Sequence, residues 1–454
     1  MAAKKKGSNN AGSSLLTRVI NSSVAAKAGV PQGYPLRRFD PTKPSLDGLL
    51  VLGGAGRFSQ EIRQALQADY EIAGPEFQLA SETKRAALVF DATALRSLED
   101  LCELYTFIHP QLRHLQPSAR VVVIGAEPGE LDGEARIVAR ALEGFTRSLA
   151  KEMRKGGTVQ LVYVAQGVET LAPLESTLRF LLSGKSAFVD GQIIRVGTQD
   201  ATPAENWHAP LEGRLALVTG AARGIGATIA EVLARDGAQV ICVDVPGASE
   251  HLSATANKVK GTALPLDVTA EDAAQQIAEH AQSRYGRSID VLVHNAGITR
   301  DKLLVNMSEQ QWDQVLAVNL MAPVRITQSL LDSGDLAEGA AVIGVSSMAG
   351  ISGNRGQTNY ATTKAGIIGL VDALRGPLAA QGSTINAVAP GFIETAMTDA
   401  MPTGPREIGK RMNSLQQGGK PVDVAETVAF FAQRASSAVS GNVVRVCGQN
   451  IMGA

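Results

Sequence analysis

Short apolar runs alternate with amphipathic segments along most of this chain. Runs such as LLVLGGAG and RVVVIGA contain almost no polar side chains, whereas segments such as RFSQEIRQAL repeat apolar residues every three or four positions. The first pattern predicts strands buried on both faces, and the second predicts helices packed by one face. Such an alternation is typical of parallel sheets covered by helices on both sides, so we expect a doubly wound α/β protein.

The alternation occurs twice, on either side of a polar segment that contains two prolines, TQDATPAENWHAPLE. The 454 residues also exceed what one ordinary core accommodates. The residues before the first apolar strand are rich in Ser, Lys and Pro, with one short helix predicted near Leu15 to Ala26. We therefore divide the chain into an N-terminal arm, a first sheet domain, a linker and a second sheet domain, with the bounds 1–44, 45–198, 199–212 and 213–454.

The two halves of the chain resemble each other in sequence. VLGGAGR corresponds to VTGAARG, and DGQIIRVG near the end of the first half corresponds to SGNVVRVCG near the end of the second. The first half is shorter between its first strand and the strand in LVFDAT. These matches predict a duplicated fold whose first copy is the smaller one.

Composition narrows the class of protein. The 43 basic and 44 acidic residues nearly cancel, so nucleic acid is not an expected partner. The cysteines Cys102, Cys242 and Cys447 lack the spacing of a metal site or a disulfide framework. No apolar run reaches the ~20 residues of a membrane span, and the start MAAKKKGSNN lacks the apolar core of a secretory signal. We expect a cytoplasmic protein without a metal and without membrane insertion.

The stretch SMAGISGNRGQTNYATTK carries three side chains that can perform chemistry together. Tyr360 and Lys364 lie one helical turn apart and share a helix face, while Ser347 precedes them beyond a glycine-rich bend. A free phenol has a pKa of about 10, and we expect the neighbouring ammonium to lower the pKa of Tyr360. By register, the first half has Glu134 and Val138 near these positions, so we expect that copy to have lost its chemistry.

A glycine-rich loop in the second half, TGAARGIG, joins a predicted strand to a predicted helix. Gly220, Gly224 and Gly226 allow a phosphate to approach the backbone at the helix N-terminus, which attracts anions. Asp244 ends the next strand, where a carboxylate binds the ribose hydroxyls of NAD and repels the 2′-phosphate of NADP. Arg223 is an opposing signal, because it could contact that phosphate. We give Asp244 more weight and expect NADH rather than NADPH.

Other polar positions follow the strands of the second half. Asp267 and Val268 come after a short apolar run and are candidates to line the adenine, and NAG at 295–297 ends the fourth strand, where open α/β sheets bind ligands. Asn319 stands among apolar helix positions. It is either a buried amide with satisfied hydrogen bonds or an anchor for a water near Lys364.

Together these residues resemble the short-chain dehydrogenase/reductase family, over roughly Leu211 to Ala454. Within that family the segments AGITRDKLL, NYATTKAGIIGL and NAVAPGFIETAMT are most similar to 3-oxoacyl-[acyl-carrier-protein] reductases. The long first half is similar to the double-domain, high-molecular-weight members, whose first domain is flavodoxin-like. The family motifs occur in the order TGAARGIG, NAG (295–297), VNL (318–320), Ser347 with Tyr360 and Lys364, and APG (389–391).

The resemblance implies a role for each matched residue. Tyr360 is the general acid for ketone reduction, Lys364 lowers its pKa and holds the nicotinamide ribose, and Ser347 polarises the carbonyl. Asn319 positions a proton-relay water. The implied cofactor-binding residues are Gly220, Arg223, Gly224, Ile225 and Gly226 at the pyrophosphate, Asp244 at the adenosine ribose, Asp267 and Val268 at the adenine, Asn295, Ala296 and Gly297 along the cofactor, and Pro390, Gly391 and Ile393 at the nicotinamide.

The implied activity is NADH-dependent reduction of 3-oxoacyl thioesters of CoA or acyl carrier protein. A hydroxyacyl-CoA or small-alcohol dehydrogenase working in the oxidative direction is the alternative, since one acid/base pair serves both directions. The segment from Thr395 to Gln417 is rich in Met, Pro and Gly, which predicts a mobile lid. Its cations Arg406, Lys410 and Arg411 either bind substrate phosphates or form a solvated helix face.

Two expectations concern the whole molecule. The first copy retains Gly53, Gly54 and Gly56, so it either binds a nucleotide weakly or has a structural or partner-docking role, which we favour. The helices around Trp312 to Ile326 and Tyr360 to Leu374 carry wide apolar faces, which pack against neighbouring subunits in relatives. Because the extra domain would block one of two packing faces, we expect a homodimer rather than a tetramer.

Overall fold

The computed structural model of the protein describes residues 32–74, 83–399 and 401–450. The helix predicted near Leu15 to Ala26 lies outside these residues. The described chain forms two parallel sheets, of six and seven strands, with helices on both sides. The predicted fold class, with two doubly wound sheets, is therefore confirmed. None of the described helices combines the length and the hydropathy that a bilayer span requires.

The first sheet has the strand order β2-β1-β3-β4-β5-β6, and its neighbouring strands pair in parallel. Its strands are β1 Leu49–Gly53, β2 Ile72–Ala73, β3 Arg85–Asp91, β4 Leu115–Ala126, β5 Thr158–Val164 and β6 Ile193–Val196. Its helices are α1 Ser59–Leu66, α2 Cys102–Ile108, α3 Gly133–Glu152 and α4 Ala172–Leu181. The sequence pattern did not reveal α4, because most of its 10 residues are buried and no polar face marks it.

The second sheet has the order β13-β12-β11-β10-β7-β8-β9, also with parallel pairs. Its strands are β7 Leu215–Thr219, β8 Gln239–Asp244, β9 Thr262–Pro265, β10 Ile289–His294, β11 Leu336–Val345, β12 Thr384–Pro390 and β13 Val443–Val446. Its helices are α5 Gly224–Arg235, α6 Ser249–Lys258, α7 Ala273–Tyr285, α8 Glu309–Leu316, α9 Ala322–Ser333, α10 Met348–Ser352, α11 Thr358–Ala379, α12 Ala396–Asp399, α13 Thr403–Arg411 and α14 Pro421–Phe431.

The two sheets match strand for strand once β9 is set aside. Among the described residues of the first half, no strand stands beyond β2 in the place that β9 has beyond β8. This difference accounts for the shorter first half, and it leaves the 2-1-3-4-5 order of flavodoxin-like sheets. The residues 197–214 between β6 and β7, all of them described, contain neither helix nor strand.

The two halves meet through equivalent positions of the repeat. The backbone N–H of Arg195 donates to the side-chain oxygen of Asn442 at 2.8 Å, and that of Arg445 donates to the side-chain oxygen of Gln192 at 3.1 Å. Phe180 stacks on its own counterpart Phe430, with ring centres 4.5 Å apart. These reciprocal contacts have the form of a two-fold interface within one chain. One apolar cluster runs from the first half into the second, which makes the two sheets a single packed body.

The end of the N-terminal arm crosses the junction between the halves. Arg38 forms two hydrogen bonds with the carboxylate of Asp423, at 2.8 and 2.9 Å. The ring of Phe39 lies between the cations of Lys185 from the first half and Arg235 from the second, at 4.8 and 4.7 Å from its centre. The arm therefore contacts both sheet domains.

Candidate active site

The predicted acid/base residues come together at the carboxyl end of β11. Tyr360 and Lys364 lie on the first turns of α11, with the Lys364 Nζ 5.6 Å from the centre of the Tyr360 ring. Ser347 begins α10, and its hydroxyl oxygen accepts a hydrogen bond from the backbone N–H of Ala349 at 3.1 Å. The same hydroxyl lies close enough to the Tyr360 phenol to lower its pKa. The structure thus brings Ser347, Tyr360 and Lys364 into one site.

Burial changes the proton affinities of this site. It raises the pKa of the Tyr360 phenol above its usual value, and the nearby Asp301 carboxylate raises that pKa further, against a lowering by the Ser347 hydrogen bond. The expected net lowering of the Tyr360 pKa was therefore wrong for this structure, because burial outweighs the influences that favour the phenolate. Lys364 donates to the Val345 carbonyl at 2.7 Å, and its own burial lowers its pKa to about 8.

Asn319 is the buried amide with satisfied hydrogen bonds. It lies in a π-helical turn, Ala317–Met321, and is 1% exposed. Its oxygen accepts from the Ile298 N–H at 2.8 Å and its nitrogen donates to the Ile298 carbonyl at 2.9 Å. A Cβ on Gly297 would lie 3.4 Å from the Asn319 oxygen and 3.5 Å from the Lys364 Nζ. Gly297, Asn319 and Lys364 therefore surround one space next to the acid/base set.

The glycine-rich loop lies at the same edge of the sheet, between β7 and α5. A Cβ on Gly226 would overlap the Gly220 carbonyl and the Asn295 amide. The Asn295 side-chain nitrogen donates to the Thr219 and Gly220 carbonyls at 2.9 and 3.2 Å, which locks the loop to the end of β10. Asn295 thus has a structural role that its place in the NAG motif did not reveal.

The loop fits the phosphates of a dinucleotide. Gly224 has a φ of +62° and nothing within 4 Å of where its Cβ would be, so the backbone is open to a ligand there. Arg223 precedes α5 in extended conformation and gives the helix no side-chain cap, which leaves the N–H groups of the first turn, at Ile225 and Gly226, facing outward. A helix N-terminus of this kind binds anions.

The candidate adenosine residues follow β8 and β9. The Asp244 carboxylate accepts a hydrogen bond from the Ala222 N–H of the loop at 3.0 Å, and its own carbonyl accepts from Leu266 N–H at 2.8 Å. Asp267 is exposed and binds the N–H and hydroxyl of Thr269, whereas Val268 is buried. Asp244 is therefore attached to the phosphate loop itself.

The candidate nicotinamide residues follow β12. Pro390 is its last residue, and Gly391 donates its N–H to the Val446 carbonyl at 3.0 Å. A Cβ on Gly391 would lie 2.6 Å from the Cβ of Cys447, so this position requires glycine. Ile393 is buried and pairs with Gly419 in a short parallel bridge. Ala296, between Asn295 and Gly297, packs against Gly220 on the opposite side of the site.

The cations of the predicted lid contact carboxylates. Lys410 pairs with Glu394 at 2.8 Å and Arg411 with Glu407 at 2.5 Å. Arg406 lies 3.9 Å from Asp399 and is mostly buried. The alternative of a solvated helix face was therefore wrong, and the binding of substrate phosphates stays a prediction. Across the described residues, no three His, Cys, Asp or Glu side chains are grouped as metal ligands are.

The corresponding loop of the first half is filled by the protein itself. A Cβ on Gly56 would overlap the carboxylate of Asp91, at the end of β3. That carboxylate accepts hydrogen bonds from the Phe58 N–H at 2.7 Å and from the Thr93 hydroxyl at 2.7 Å. Arg57 donates to the carbonyls of residues 165, 166 and 168. The Asp91 carboxylate thus accepts a hydrogen bond at the start of α1, and the acid in LVFDAT was the signal for it.

The fold and this site define an oxidoreductase built around a dinucleotide loop and a Ser–Tyr–Lys acid/base set. A family described as enoyl-(acyl carrier protein) reductase matches residues 220–448. The chain belongs to the short-chain dehydrogenase/reductase family.

Curated relatives and a solved structure match the second half. The 3-oxoacyl-[acyl-carrier-protein] reductase FabG of Thermotoga maritima is 42% identical over 245 residues, which is 52% of this chain and 98% of the relative. The (3R)-3-hydroxyacyl-CoA dehydrogenase of Mus musculus is 40% identical over 252 residues, 52% of this chain and 96% of the relative. The angucycline C-6 ketoreductase LanV with bound NADP is 26% identical, has a TM-score of 0.50, and covers 54% of this chain and 98% of its own.

Proposed function

We propose that the protein reduces 3-oxoacyl thioesters of CoA or acyl carrier protein to 3-hydroxyacyl thioesters, with NADH as the reductant. The observation that carries this proposal is the grouping of Ser347 at the start of α10 with the buried Tyr360 phenol and Lys364, one helical turn apart on α11, at the same sheet edge as the phosphate loop. The names of the Thermotoga maritima and mouse relatives support an acyl thioester as substrate.

The chain's own residues then bind the ketone and move one proton. A bound nicotinamide supplies the hydride. The hydroxyls of Ser347 and Tyr360 donate hydrogen bonds to the ketone oxygen and polarise it. Because the pKa of Tyr360 is raised, the phenol is protonated at neutral pH and delivers its proton to the oxygen as negative charge develops there. The Lys364 cation, 5.6 Å from the ring centre, then favours the phenolate that remains.

The preference for NADH rests on Asp244. Its carboxylate is hydrogen-bonded to the backbone of the phosphate loop, so it cannot move away from a 2′-phosphate without breaking that bond. A fixed negative charge at the ribose disfavours the additional phosphate of NADPH. Arg223 is exposed in the same loop and is the opposing influence.

The test replaces the proposed acid. Tyr360→Phe removes the proton donor and one donor to the ketone, so we expect turnover of a 3-oxoacyl-CoA to fall by about 10³-fold or more, with NADH binding retained. Tyr285→Phe is a matched control, because that hydroxyl bonds only Thr262 at 3.0 Å, away from the site. Retained turnover in Tyr360→Phe would refute the assignment of the acid.

A second candidate is a hydroxyacyl-CoA dehydrogenase working in the oxidative direction, which the name of the mouse relative favours. The same acid/base pair serves both directions, so Tyr360 does not decide between them. Steady-state kinetics at neutral pH decide between them. The measurements compare NADH with NADPH on short and long 3-oxoacyl-CoA, and compare acetoacetyl-CoA reduction with alcohol and hydroxyacyl-CoA oxidation.

For the whole chain we propose a cytoplasmic homodimer in which the first half has a structural role. The Asp91 carboxylate in the loop of the first half and the positions of Glu134 and Val138 in α3 support a copy without dinucleotide chemistry. The face through which the two halves meet is used inside the chain, which leaves the outer faces of α9 and α11 for a second copy.

A further inference from the structure

The predicted lid, residues 395–417, begins and ends at a short ladder that we call the lid base, formed by Phe392–Glu394 and Gly419. The Gly419 N–H donates to the Phe392 carbonyl at 2.9 Å, and the Glu394 N–H donates to the Gly419 carbonyl at 2.8 Å. The two ends of the lid are thereby held side by side. The ladder therefore fixes both ends of the segment that carries α12 and α13.

The lid base rests on a residue of the first half. Phe188, in the turn before β6, is fully buried, and a Cβ on Gly419 would lie 2.5 Å from its ring. The same ring also packs against Gly448. The Phe188 carbonyl accepts a hydrogen bond from the Gly448 N–H at 2.9 Å. Because residues 419 and 448 are glycines without side chains, the ring can pack against both backbones. Ile393 of the lid base shares this apolar cluster.

Two further contacts connect the end of the lid to the N-terminal half. The Gln417 side chain donates to the carbonyl of Tyr34, in the arm, at 2.7 Å. Ser414 donates its hydroxyl to Gln449 at 2.7 Å, and Gln449 in turn donates to the carbonyl of Arg147, in α3, at 2.7 Å. The lid is thus attached to the arm, to α3 and to the turn carrying Phe188.

We propose that Phe188 is a positioning residue for the reaction: through it, the first half fixes the lid base and so sets how completely the lid closes over the thioester. The inference rests on the proposed function for the identity of the substrate. The first half, which lacks the acid/base residues, then contributes a positioning contact to the active site of the second half.

The physical basis is the population of the closed lid. Phe188 fills the space behind the ladder, and its removal leaves a cavity that permits the lid base to shift. Apparent affinity falls in proportion to the fraction of molecules with a closed lid. The dinucleotide loop at Gly220 to Gly226 touches neither Phe188 nor the lid base. Of the proposed cofactor-binding residues only Ile393 belongs to the lid base, so we expect the affinity for NADH to change less than the affinity for the thioester.

The experiment compares Phe188→Ala and Phe188→Leu with Phe90→Leu in the full-length chain. Phe90 is a buried aromatic of the same half, packed on Phe107 and remote from the lid, so it reports general destabilisation. For Phe188→Ala we expect the KM for acetoacetyl-CoA to rise about tenfold, with kcat lowered less and the Kd for NADH within about twofold of the native value. Phe188→Leu recovers part of the loss, and Phe90→Leu leaves the KM unchanged.

A second measurement does not depend on activity. Trypsin cleaves after Arg406, Lys410 and Arg411 in the lid, and we expect faster cleavage there in Phe188→Ala than in Phe90→Leu at equal thermal stability. The proposal is overturned if KM and lid cleavage in Phe188→Ala match those of Phe90→Leu, or if Gln417→Ala, which removes a lid contact without a cavity, leaves both at native values. If the native chain does not reduce acetoacetyl-CoA, the proposed function fails, and the cleavage comparison still decides the role of Phe188.

Discussion

Lys364 is the most strongly perturbed cation of the active site. Its side chain is 4% exposed, and its ammonium has one protein acceptor, the Val345 carbonyl at 2.7 Å. Burial lowers the pKa from 10.5 to about 8, so the cation is lost at a pH where most lysines keep theirs. Between these two values the unfolded chain binds more protons than the folded chain, so this group's contribution to stability rises with pH in that window.

This pKa predicts the pH dependence of the reaction. We expect kcat/KM for reduction to be constant below about 8 and to fall above it, because the neutral amine no longer stabilises the phenolate. The measurement is a pH profile of kcat/KM, which reports groups in the free enzyme. In Lys364→Arg the charge persists, so the fall should move to higher pH. An unchanged profile in that variant would assign the fall to another group.

At this scale the sequence predicts which residues meet but not their electrostatics. The spacing of Tyr360 and Lys364 and the position of Ser347 were sufficient to assemble the site. The direction of the Tyr360 pKa was not predictable, because it depends on burial by segments far away in sequence. The role of Asn319 was not predictable for the same reason, because its hydrogen-bond partner Ile298 belongs to another loop.

The loop between β7 and α5 is the element on which dinucleotide binding depends. Gly226→Ala places a methyl group on the Gly220 carbonyl and the Asn295 amide, so the loop must open. We expect NADH affinity to fall by tenfold or more, roughly 1.4 kcal/mol. Because Asp91 fills the equivalent loop in the first half, the variant should show no second saturable site. Isothermal titration of the full-length chain measures both quantities.

A glycine in an open position is the control for that variant. Gly144 in α3 has nothing within 4 Å of where its Cβ would be and ordinary helical dihedrals. Gly144→Ala should keep native NADH binding and raise the free energy of unfolding by about 0.5–1 kcal/mol. Native affinity in Gly226→Ala, or one equivalent of NADH bound outside the Gly226 loop, would contradict the prediction.

Elements were predictable where polar and apolar residues alternate. The longer strands of both sheets follow from their apolar runs and the long helices α3 and α11 from their patterns, whereas the two-residue strand β2 was not predicted. Helix α4 escaped notice, because it is buried between the two halves and lacks a polar face. The predicted lid contains the helices α12 and α13, whose cations are neutralised by nearby carboxylates.

Exposed apolar residues at α9 offer a surface through which two copies of the chain can associate. Met321, which precedes α9, is 56% exposed, and Val324, within α9, is 41% exposed. We expect the native chain to be a dimer, with Val324→Asp a monomer, because a carboxylate buried in a subunit contact is unfavourable. Light scattering after size-exclusion chromatography measures the mass. Val305→Asp, at an 86% exposed position in a loop, should remain dimeric. A tetrameric native chain, or a dimeric Val324→Asp, would exclude this face.

The junction between the halves was the least predictable feature of the molecule. The repeat was visible in sequence, but its two copies meet through amide side chains bonded to backbone and through one stacked pair of rings. No charge pattern or motif marks such contacts. The part of the N-terminal arm that crosses the junction, at Arg38 and Phe39, was likewise predicted only as an arm without assigned contacts.

The reciprocal contacts of Gln192 with Arg445 and of Asn442 with Arg195 have a genetic consequence. In an assembly of identical chains, one codon supplies both sides of a two-fold contact, and every substitution acts twice. Here the two sides are separately encoded, so each can change alone and be compensated by the other. That independence allows one copy to carry Ser347, Tyr360 and Lys364 and the other to carry Asp91 in its loop. Two copies joined in one chain can therefore take different roles, whereas the two subunits of a symmetric dimer share one sequence.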